Sequence, residues 1–467
     1  MKKTKIICSI GPASNQVEVM EQMVLAGMNV ARINFTHATT EERNQAISSV
    51  REVRRRTGQN VAILWDTKGP EFRSGMLEND KITLVEGKTI RLVKDCVLGN
   101  QERFSVNHPE AVESLNVGNI VLLENAKMKL EVISKENDGV TCKIISGGVL
   151  GNKKSMSAPG IKLDIPYLSD EDRQDIKYAC DNNGDYLAIS FVNSAEDIKQ
   201  VKELCKEYGR PDMPIISKVE TQYAMDNLEE IVEASDYIMV ARGDLGIETG
   251  VENLPLYQQM MIDTCHAYGK GVIMATQMMY SMKTNIRPTN AEVTDVANAV
   301  IAGCDAIMTS DETTIGNYPV ETIETMSRIC ENVEQVTKYN LDEFRLSGTA
   351  IHNTIARCAV DASSDLPIKA IVASTLTGRT ALDLSSLRPE SFIIATVTDS
   401  KIARKLALKW GVYTKLVPMY SDTDDIVREG ANAAKEVLNL NNDDLVCVIG
   451  GFPLDAHTNF LKIDTIK

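Results

Sequence analysis

The sequence lacks three features that would assign it to a particular class of protein. Its ten cysteines form no CxxC pair, its apolar runs fall short of membrane-spanning length, and it has no excess of positive charge. Lys and Arg number 50 against 65 Asp and Glu, so the formal net charge of −15 argues against an extended nucleic-acid surface. Any anionic ligand must therefore meet cations that are concentrated locally.

Several cysteines lie inside apolar segments such as "IICSI" and "LVCVI", which indicates reduced core residues and a cytoplasmic protein. The basic N-terminus is followed by an apolar run that is too short for a signal peptide and is interrupted by Gly11 and Pro12. With 467 residues, 43% of them hydrophobic, the chain is long enough for two or three cores, and we find no internal repeat.

Short apolar runs alternate with amphipathic segments up to about residue 338, a pattern typical of βα units. The runs that we predict as strands are "TKIICSI", "NVARINF", "NVAILWD", "YLAISFV", "PIISKVE", "YIMVA", "GVIMATQ" and "DAIMTS". Eight parallel strands with intervening helices predict a closed (β/α)8 barrel, which ends with the helix "VETIETMSRICENVEQVTKY".

Two further units interrupt or follow this barrel. Residues 70–168 read as short strands and turns, which predicts an all-β domain inserted in one βα loop as a mobile cover. Residues 341–467 alternate again and predict an open α/β domain. The barrel itself is assigned to residues 1–69 and 169–340.

Polar and charged residues recur where the predicted barrel strands end, and in a barrel these ends converge on one mouth. They are Arg32, Asn34, Thr36 and His37; Asp66, Thr67, Lys68, Glu71 and Arg73; Lys218 and Glu220; Arg242, Gly243 and Asp244; Thr276 and Gln277; and Ser310 and Glu312. A single charged residue after a strand is usually a solvated loop residue, but recurrence after six strands favours a shared site.

Glu220 and Asp244 follow neighbouring strands, so their carboxylates can share one hard cation such as Mg²⁺ or Mn²⁺. Lys218 lies two residues before Glu220 and points to the same face. Because a cation beside a metal needs an anion between them, the pattern predicts a phosphoryl ligand, with Arg32 and Arg73 as forked donors. The alternative is that each carboxylate pairs with a neighbouring cation.

Two smaller features remain open to two interpretations each. Gly243 allows close approach to backbone N–H groups, which would hold a substrate carboxylate, or it is a turn glycine. The oxygen-bearing residues of the second and third strand ends either bind a monovalent ion or make surface hydrogen bonds; they are Asn34, Thr36, Asp66 and Thr67.

The motifs resemble those of the pyruvate kinase family over the whole chain. The matching segments are "TKIICSIGPAS", "NVARINFTH", "DTKGPEFR", "IISKVET", "EASDYIMVARGDLGIE", "MATQM" and "DVANAV…CDAIM". The resemblance implies a (β/α)8 barrel, an inserted β domain and a C-terminal α/β domain. It also implies a cytoplasmic homotetramer that transfers a phosphoryl group from phosphoenolpyruvate to ADP, with no nucleic-acid or membrane partner.

The resemblance also implies roles for the residues at the mouth. Lys218, Arg32, Arg73 and Thr276 would be catalytic, and phosphoenolpyruvate would contact Arg32, Lys218, Gly243, Asp244 and Thr276. ADP would contact Asn34, His37, Arg73 and Lys154. Glu220 and Asp244 would hold Mg²⁺ or Mn²⁺, while K⁺ would lie at Asn34, Thr36, Asp66 and Thr67, with Glu71 marking the potassium-dependent class.

The sequence departs from the family pattern at four places near the site. Thr36 replaces a serine, Asp311 a glycine and Asn193 a basic residue, and "SMSAPG" lacks an asparagine. Two other functions stay open: a metal-dependent aldolase or lyase with the same carboxylate pair, and a paralogue without activity that binds sugar phosphates and regulates a partner.

A last motif, "STLTGRTALDL", predicts a phosphate site at a helix start or, alternatively, a capped strand-to-helix turn. Its candidate residues are Thr375, Thr377, Gly378, Arg379 and Thr380. The resemblance implies a phosphorylated activator here. Because the loop "GGFPLDAHTNF" lacks the tryptophan, arginine and extra glycine of many relatives, we expect a sugar monophosphate or AMP rather than fructose 1,6-bisphosphate.

Overall fold

The structure is a computed structural model that describes residues 1–339, 346, 349–420, 422–453 and 457–467. The chain begins with βα units: β1 Lys5–Ser9, α1 Val17–Ala26, β2 Val30–Asn34, α2 Thr40–Thr57 and β3 Ala62–Asp66. Helix α2 begins at a capping box between Thr39 and Glu42 and ends at Gly58, whose φ of 68° suits a left-handed C-cap. Both signals are visible in the sequence.

The inserted domain follows β3 and has a core of its own, to which Phe72 and Phe104 belong. Its strands are β4 Lys81–Leu84, β5 Thr89–Val93, β6 Arg103–Ser105, β7 Ile120–Leu123, β8 Met128–Glu136, β9 Gly139–Ser146, β10 Gly148–Gly151 and β11 Met156–Ser157. One short helix, α3 Pro109–Ser114, lies between β6 and β7. The sequence pattern did not predict this helix, because six residues are too few to show a helical period.

The barrel resumes after the inserted domain. Its elements are α4 Asp170–Asp181, β12 Tyr186–Ile189, α5 Ala195–Glu207, β13 Ile215–Val219, α6 Gln222–Asp226, α7 Leu228–Ala234, β14 Tyr237–Ala241, α8 Arg242–Thr249, α9 Leu254–Tyr268, β15 Gly271–Ala275, α10 Asn290–Ile301, β16 Ala306–Thr309, α11 Asp311–Thr314 and α12 Pro319–Glu334. The eight parallel strands close in the order β1-β16-β15-β14-β13-β12-β3-β2. The predicted barrel is therefore confirmed.

The C-terminal domain is an open five-stranded sheet with helices. Its elements are α13 Ala350–Asp365, β17 Ile368–Ser374, α14 Arg379–Ser386, β18 Phe392–Val397, α15 Ser400–Lys405, β19 Val412–Leu416, α16 Thr423–Leu438, β20 Leu445–Gly450 and β21 Phe460–Thr465. The strand order is β19-β18-β17-β20-β21, with β21 antiparallel to β20. The predicted α/β class is confirmed. The predicted boundary at 340/341 lies outside the described residues, because residues 340–345 are not among them.

The predicted helix "SKIARKLALKW" ends early, because the chain turns to close the base of the barrel. Leu408 is fully buried and packs in the barrel interior with Ile7 and Ile216. The hydroxyl of Tyr186 accepts the Leu408 N–H at 3.3 Å and donates to the Lys405 carbonyl at 2.6 Å. Within the described ranges, every helix falls short of the length and apolar character needed to cross a membrane.

Candidate active site at the barrel mouth

The strand register brings the predicted residues of the barrel together at one end. Asn34, the last residue of β2, is paired with Asp66, the last residue of β3. Lys218 lies on β13, next to β14, whose end leads into the helix that carries Asp244. The carboxyl ends of parallel strands thus supply cations, carboxylates and hydroxyls to one mouth, as the sequence predicts.

Lys218 is the centre of an ion-pair network in this mouth. Its Nζ lies 2.9 Å from Glu220 Oε1 and 3.6 Å from Asp66 Oδ1, and it donates a hydrogen bond to Ser190 Oγ at 2.8 Å. Arg32 donates to the other oxygen of Asp66, with Nε at 2.6 Å from Oδ2. Two cations and three carboxylates, with Asp244 included, therefore share a largely buried space.

The carboxylates of this network respond differently to burial. Burial raises the pKa of Glu220 to about 7, against the lowering effect of Lys218 and with the help of Asp244. Burial also raises the pKa of Asp244. For Asp66, burial alone would raise the pKa, but Lys218 and Arg32 outweigh it and hold that pKa below its ordinary value. Burial thus favours the protonated form of Glu220 and Asp244, whereas Asp66 is held as a carboxylate by its two cations.

Glu220 and Asp244 suit a divalent cation. Glu220 is 1% exposed, and its Oε1 receives from the described residues only the ion-pair contact of Lys218, while Oε2 accepts the Phe191 N–H at 2.6 Å. Asp244 adds to the effect of burial in raising the pKa of Glu220, and a cation between the two carboxylates would relieve their repulsion. In the described ranges, no group of three or more His, Cys, Asp and Glu residues could hold a metal ion.

The second oxygen cluster is also assembled, at the ends of β2 and β3. Asn34 Oδ1 accepts the Thr36 N–H at 2.8 Å, and Thr67 Oγ1 faces the Ser190 N–H at 3.4 Å. Asp66 Oδ1 is a buried oxygen whose contact within the described ranges is the ion pair with Lys218. The donor types fit a monovalent cation.

The segment that follows β14 differs from its simplest interpretation. Arg242 turns away from the mouth: its NH1 pairs with both oxygens of Asp295 at 2.8 and 2.7 Å, and its NH2 donates to the Thr276 carbonyl. The Gly243 N–H donates to Thr276 Oγ1 at 3.0 Å. Arg242 thus clamps the loop after β15, and a substrate carboxylate at Gly243 would have to displace the Thr276 hydroxyl.

Thr276 itself has an unusual backbone. Its φ is 68° and that of Gln277 is 54°, in the left-handed region that a β-branched residue rarely adopts. Such strain is costly and is found most often at functional sites, where the surroundings hold it in place. Here the clamp from Arg242 and the hydrogen bond from Gly243 hold it, which places the Thr276 hydroxyl at the mouth.

A cleft of about 540 Å³ separates the mouth from the inserted domain. Its lining includes Asp244 and His37 from the barrel, and Glu71, Arg73 and Lys154 from the inserted domain. Arg73 makes a forked pair with Glu71, at 2.7 and 2.8 Å, and Lys154 Nζ is 3.9 Å from Glu124. The predicted cations of the inserted domain therefore face the cleft, but Arg73 is paired with a carboxylate of its own.

Two polar residues at the mouth, Ser9 and Ser190, were not among the residues that the sequence predicted for the site. Ser9 ends β1 and accepts from Arg32 NH1 at 2.6 Å, and Ser190 follows β12 and accepts from Lys218. They lie at the ends of β1 and β12, the two barrel strands for which the sequence pattern predicted no site residue. The available signal was position alone, since both serines lie at strand ends.

The departures from the family pattern have partners of their own. Asp311 pairs with Lys283 at 2.8 Å, and Asn193 accepts from Thr221 Oγ1 at 2.7 Å. Ser157, which stands in the "SMSAPG" loop, lines the cleft together with Glu248, and burial raises the pKa of Glu248 to about 7. The hydrogen bond between Asn193 and Thr221 joins two segments that line the cleft.

The predicted phosphate loop of the C-terminal domain borders a second cavity, of about 700 Å³. Gly378 has a φ of 86° and caps α14, while its N–H donates to Thr375 Oγ1 at 3.0 Å and the Arg379 N–H to Thr377 Oγ1 at 3.4 Å. The hydroxyl of Thr380 pairs with that of Thr458 at 2.8 Å. The loop has the geometry of a capped turn and also faces a cavity, and residues 454–456 of the distal loop lie outside the described residues.

Known proteins resemble the chain in sequence and in structure. Family models described as "Pyruvate kinase, barrel domain" and "Pyruvate kinase, alpha/beta domain" match residues 1–323 and 353–464. Pyruvate kinase from Geobacillus stearothermophilus is 40% identical, and that from Staphylococcus haemolyticus (strain JCSC1435) 39% identical, in each case over 100% of this chain and 81% of the relative.

A solved structure, that of a pyruvate kinase from Cryptosporidium parvum, has a TM-score of 0.94 and 34% sequence identity. The match covers 100% of this chain and 96% of that chain. The chain therefore belongs to the pyruvate kinase family of phosphotransferase enzymes.

Proposed function

We propose that this chain transfers the phosphoryl group of phosphoenolpyruvate to ADP, which gives ATP and, after protonation of the enolate, pyruvate. The observation that carries this proposal is the network of Lys218, Glu220, Asp66 and Arg32 at the barrel mouth. An aldolase or lyase would need the carboxylate pair, but not a buried ammonium beside it or an inserted domain whose cations face the same cleft.

In this mechanism the chain positions charges rather than forming covalent bonds, as is usual in phosphoryl transfer. The ammonium of Lys218 pairs with an equatorial oxygen of the phosphoryl group as it leaves the enolate oxygen and joins the terminal phosphate of ADP. Arg32 and Arg73 donate to phosphate oxygens, Lys154 and His37 contact the nucleotide together with Asn34, and Gly243 lies against the substrate carboxylate. The hydroxyl of Thr276 orders the water that protonates the enolate carbon.

Two cations complete the proposed site. Glu220 and Asp244 would hold Mg²⁺ or Mn²⁺, and Asn34, Thr36, Asp66 and Thr67 would hold K⁺. When bound, these cations would neutralise negative charge on the phosphoryl and substrate oxygens. Both assignments are supported by the composition of the mouth, where three carboxylates, Asp66, Glu220 and Asp244, lie with the two cations Lys218 and Arg32.

A coupled assay tests the reaction: pyruvate formation from phosphoenolpyruvate and ADP in the presence of Mg²⁺ and K⁺. We expect turnover that requires both substrates and is abolished by a chelator of divalent cations. Glu220→Gln should lower turnover and raise the Mg²⁺ concentration for half-maximal rate, while Glu207→Gln, at the exposed end of α5, should change neither. Cleavage of a carbon–carbon bond without ADP would favour the lyase instead, and binding without turnover would favour the regulatory paralogue.

The cavity beside α14 supports a regulatory extension of the proposal. Its lining is rich in hydroxyls and includes Thr375, Thr377, Arg379, Thr380 and His352, which suits a phosphorylated metabolite with several hydroxyl groups, such as a sugar monophosphate or AMP. Occupancy would activate by favouring one conformation of the enzyme. The family resemblance further suggests a cytoplasmic homotetramer, which sedimentation velocity would test for the purified protein.

The regulatory proposal is tested by screening phosphorylated metabolites at sub-saturating phosphoenolpyruvate. We expect activation by at least one monophosphate and a weak response to fructose 1,6-bisphosphate. Thr377→Ala combined with Arg379→Ala should remove the activation without changing the rate at saturating phosphoenolpyruvate. Activation that persists in the double variant, or no activation by any compound, would leave the loop as a structural turn.

A further inference from the structure

Ser190 joins the lysine of the mouth to the end of a neighbouring strand. The residue follows β12 and is 2% exposed. Its Oγ donates to the Thr67 carbonyl at 2.7 Å and accepts from Lys218 Nζ at 2.8 Å. The single proton of the hydroxyl is used in the hydrogen bond to the Thr67 carbonyl, so Ser190 Oγ contacts Lys218 as an acceptor.

The backbone around Ser190 holds this hydroxyl in place. The Ser190 carbonyl accepts from the hydroxyl of Tyr167 at 3.1 Å, in the segment by which the chain returns from the inserted domain. A Cβ added at Gly69 would lie 2.7 Å from the same carbonyl oxygen, so the loop after β3 packs tightly against it. Phe191, with a φ of 52°, donates its N–H to Glu220 Oε2 at 2.6 Å. The adjacent residues Ser190 and Phe191 thus make hydrogen bonds with both Lys218 and Glu220.

The contacts of Lys218 differ in kind. Glu220 and Asp66 are charged and compete with an anionic ligand for the ammonium, whereas Ser190 is neutral and withdraws no formal charge from it. Ser9 makes the same arrangement with Arg32, since its Oγ accepts from Arg32 NH1 at 2.6 Å and donates to the Thr309 carbonyl at 2.8 Å. The recurrence at two strand ends indicates a common way of aiming a cation without neutralising it.

We propose that Ser190 is a positioning residue for Lys218, holding one N–H of the ammonium so that the others face the carboxylates and the phosphoryl group in transfer. The inference rests on the proposed function, because it acts through the role assigned to Lys218. A hydrogen bond to a charged group is typically worth about 1.5–3 kcal/mol, which corresponds to about a 10- to 100-fold change in rate if it is realised in the transition state.

The test compares kcat and KM for phosphoenolpyruvate in four variants of the full chain. Ser190→Ala and the nearly isosteric Ser190→Cys, a poor acceptor, should lower kcat by about 10- to 100-fold with KM within about threefold of the parent. Ser190→Thr keeps the hydroxyl and should recover most of kcat. Ser49→Ala is the matched control, since Ser49 is also a buried barrel serine that donates to a carbonyl, that of Asn15 at 2.7 Å.

Thermal unfolding of each variant separates positioning from folding. The inference is overturned if folded Ser190→Ala and Ser190→Cys keep kcat within about twofold of the parent, if only KM changes, or if Ser49→Ala loses as much. Lys218→Met in the same assay distinguishes the role of Lys218 from the positioning role of Ser190. Normal turnover in Lys218→Met refutes the role proposed for Lys218, whereas inactive Lys218→Met beside normal Ser190→Ala refutes only the positioning role.

Discussion

The two ends of the barrel both bury lysines, but they surround them in opposite ways. At the mouth, burial alone would lower the pKa of Lys218, yet Asp66 and Glu220 outweigh it and raise that pKa above its ordinary value. At the base, burial dominates and lowers the pKa of Lys5 well below its ordinary value, with Lys2 adding to the effect. Lys5 is 1% exposed, donates to the Val412 carbonyl and lies 4.1 Å from the centroid of the Tyr413 ring.

The difference shows that one end of the barrel is suited to binding charged ligands, while the other end packs against the C-terminal domain. The base meets the C-terminal domain through carbonyls, aromatic rings and the buried Leu408, and the Lys5 ammonium there is held by a carbonyl and not by a carboxylate. The mouth keeps carboxylates that its own cations do not balance and backbone angles that cost energy at Thr276. An end of this kind gains stability when it binds cations and anionic substrate, whereas the base uses its buried lysine in contacts with the C-terminal domain.

Replacing the lysine at the mouth should produce the largest effect. Lys218→Met removes the cation that meets the phosphoryl group, and we expect kcat to fall by at least about 10³-fold in the coupled pyruvate assay. The matched change at the base is Lys409→Met, because Lys409 lies 4.1 Å from the centroid of the Tyr237 ring and away from the mouth. That variant should keep kcat within about twofold of the parent. Equal losses in the two variants would contradict the contrast between the ends.

Truncating the residue that closes the base should have the opposite profile. Leu408→Ala removes a fully buried side chain from the barrel interior, and we expect it to lower stability by about 2–5 kcal/mol, measured as a fall of several degrees in Tm. The rate at saturating phosphoenolpyruvate should stay close to that of the parent at 25 °C. Leu416→Ala, on a residue that is 46% exposed, is the control and should leave Tm nearly unchanged.

The sequence predicted most of the fold and the charged part of the site, for physical reasons that can be named. The eight strands are apolar runs, most of them followed by polar or charged residues, and this pattern does not depend on the details of packing. It predicted neither α3 nor the early end of α15, because one helix is too short to show a period and the other is ended by a tertiary contact between Leu408 and Tyr186. Pattern alone gave no indication of a barrel base closed by another domain.

Within the site, sequence reasoning located charges but not their partners. Arg242 directly follows β14, and Lys218 lies near the end of the neighbouring strand β13. The side chain of Arg242 nevertheless pairs with Asp295, 53 residues further along the chain, and points away from the mouth. Ser190 carries no charge and was not distinguished from any other serine, although it contacts Lys218 directly. Which way a side chain turns depends on partners that are distant in sequence, and a single sequence does not contain that information.

A charge reversal beside the mouth should change the need for a monovalent cation. Glu71 pairs with Arg73. Burial is the main cause that raises the pKa of Asp244, and Glu71 adds to it while Lys218 opposes it, so the charge of Glu71 acts on the site. In Glu71→Lys an ammonium replaces that carboxylate. We expect the ratio of rates in K⁺ and in tetramethylammonium to fall by about tenfold, which corresponds to about 1.4 kcal/mol. Glu86→Lys, an exposed change in the inserted domain, should keep the ratio, and equal rates of the parent in both salts would refute the potassium assignment.

The smallest effect should appear in the pH dependence of stability at the base. Burial depresses the pKa of Lys5 in the folded state. At a pH between that folded pKa and 10.5, Lys5 is protonated in the unfolded chain but not in the folded chain, so lowering the pH within this window disfavours folding. The parent should therefore gain Tm relative to Lys5→Met as pH rises from 7 to 9.5, because methionine has no proton to bind. The difference between the two proteins is the quantity to measure, since titration of other groups cancels from it. A difference in Tm that stays constant across this range, or that moves in the opposite direction, would show that Lys5 is charged in the folded state and that the base, like the mouth, compensates its cation.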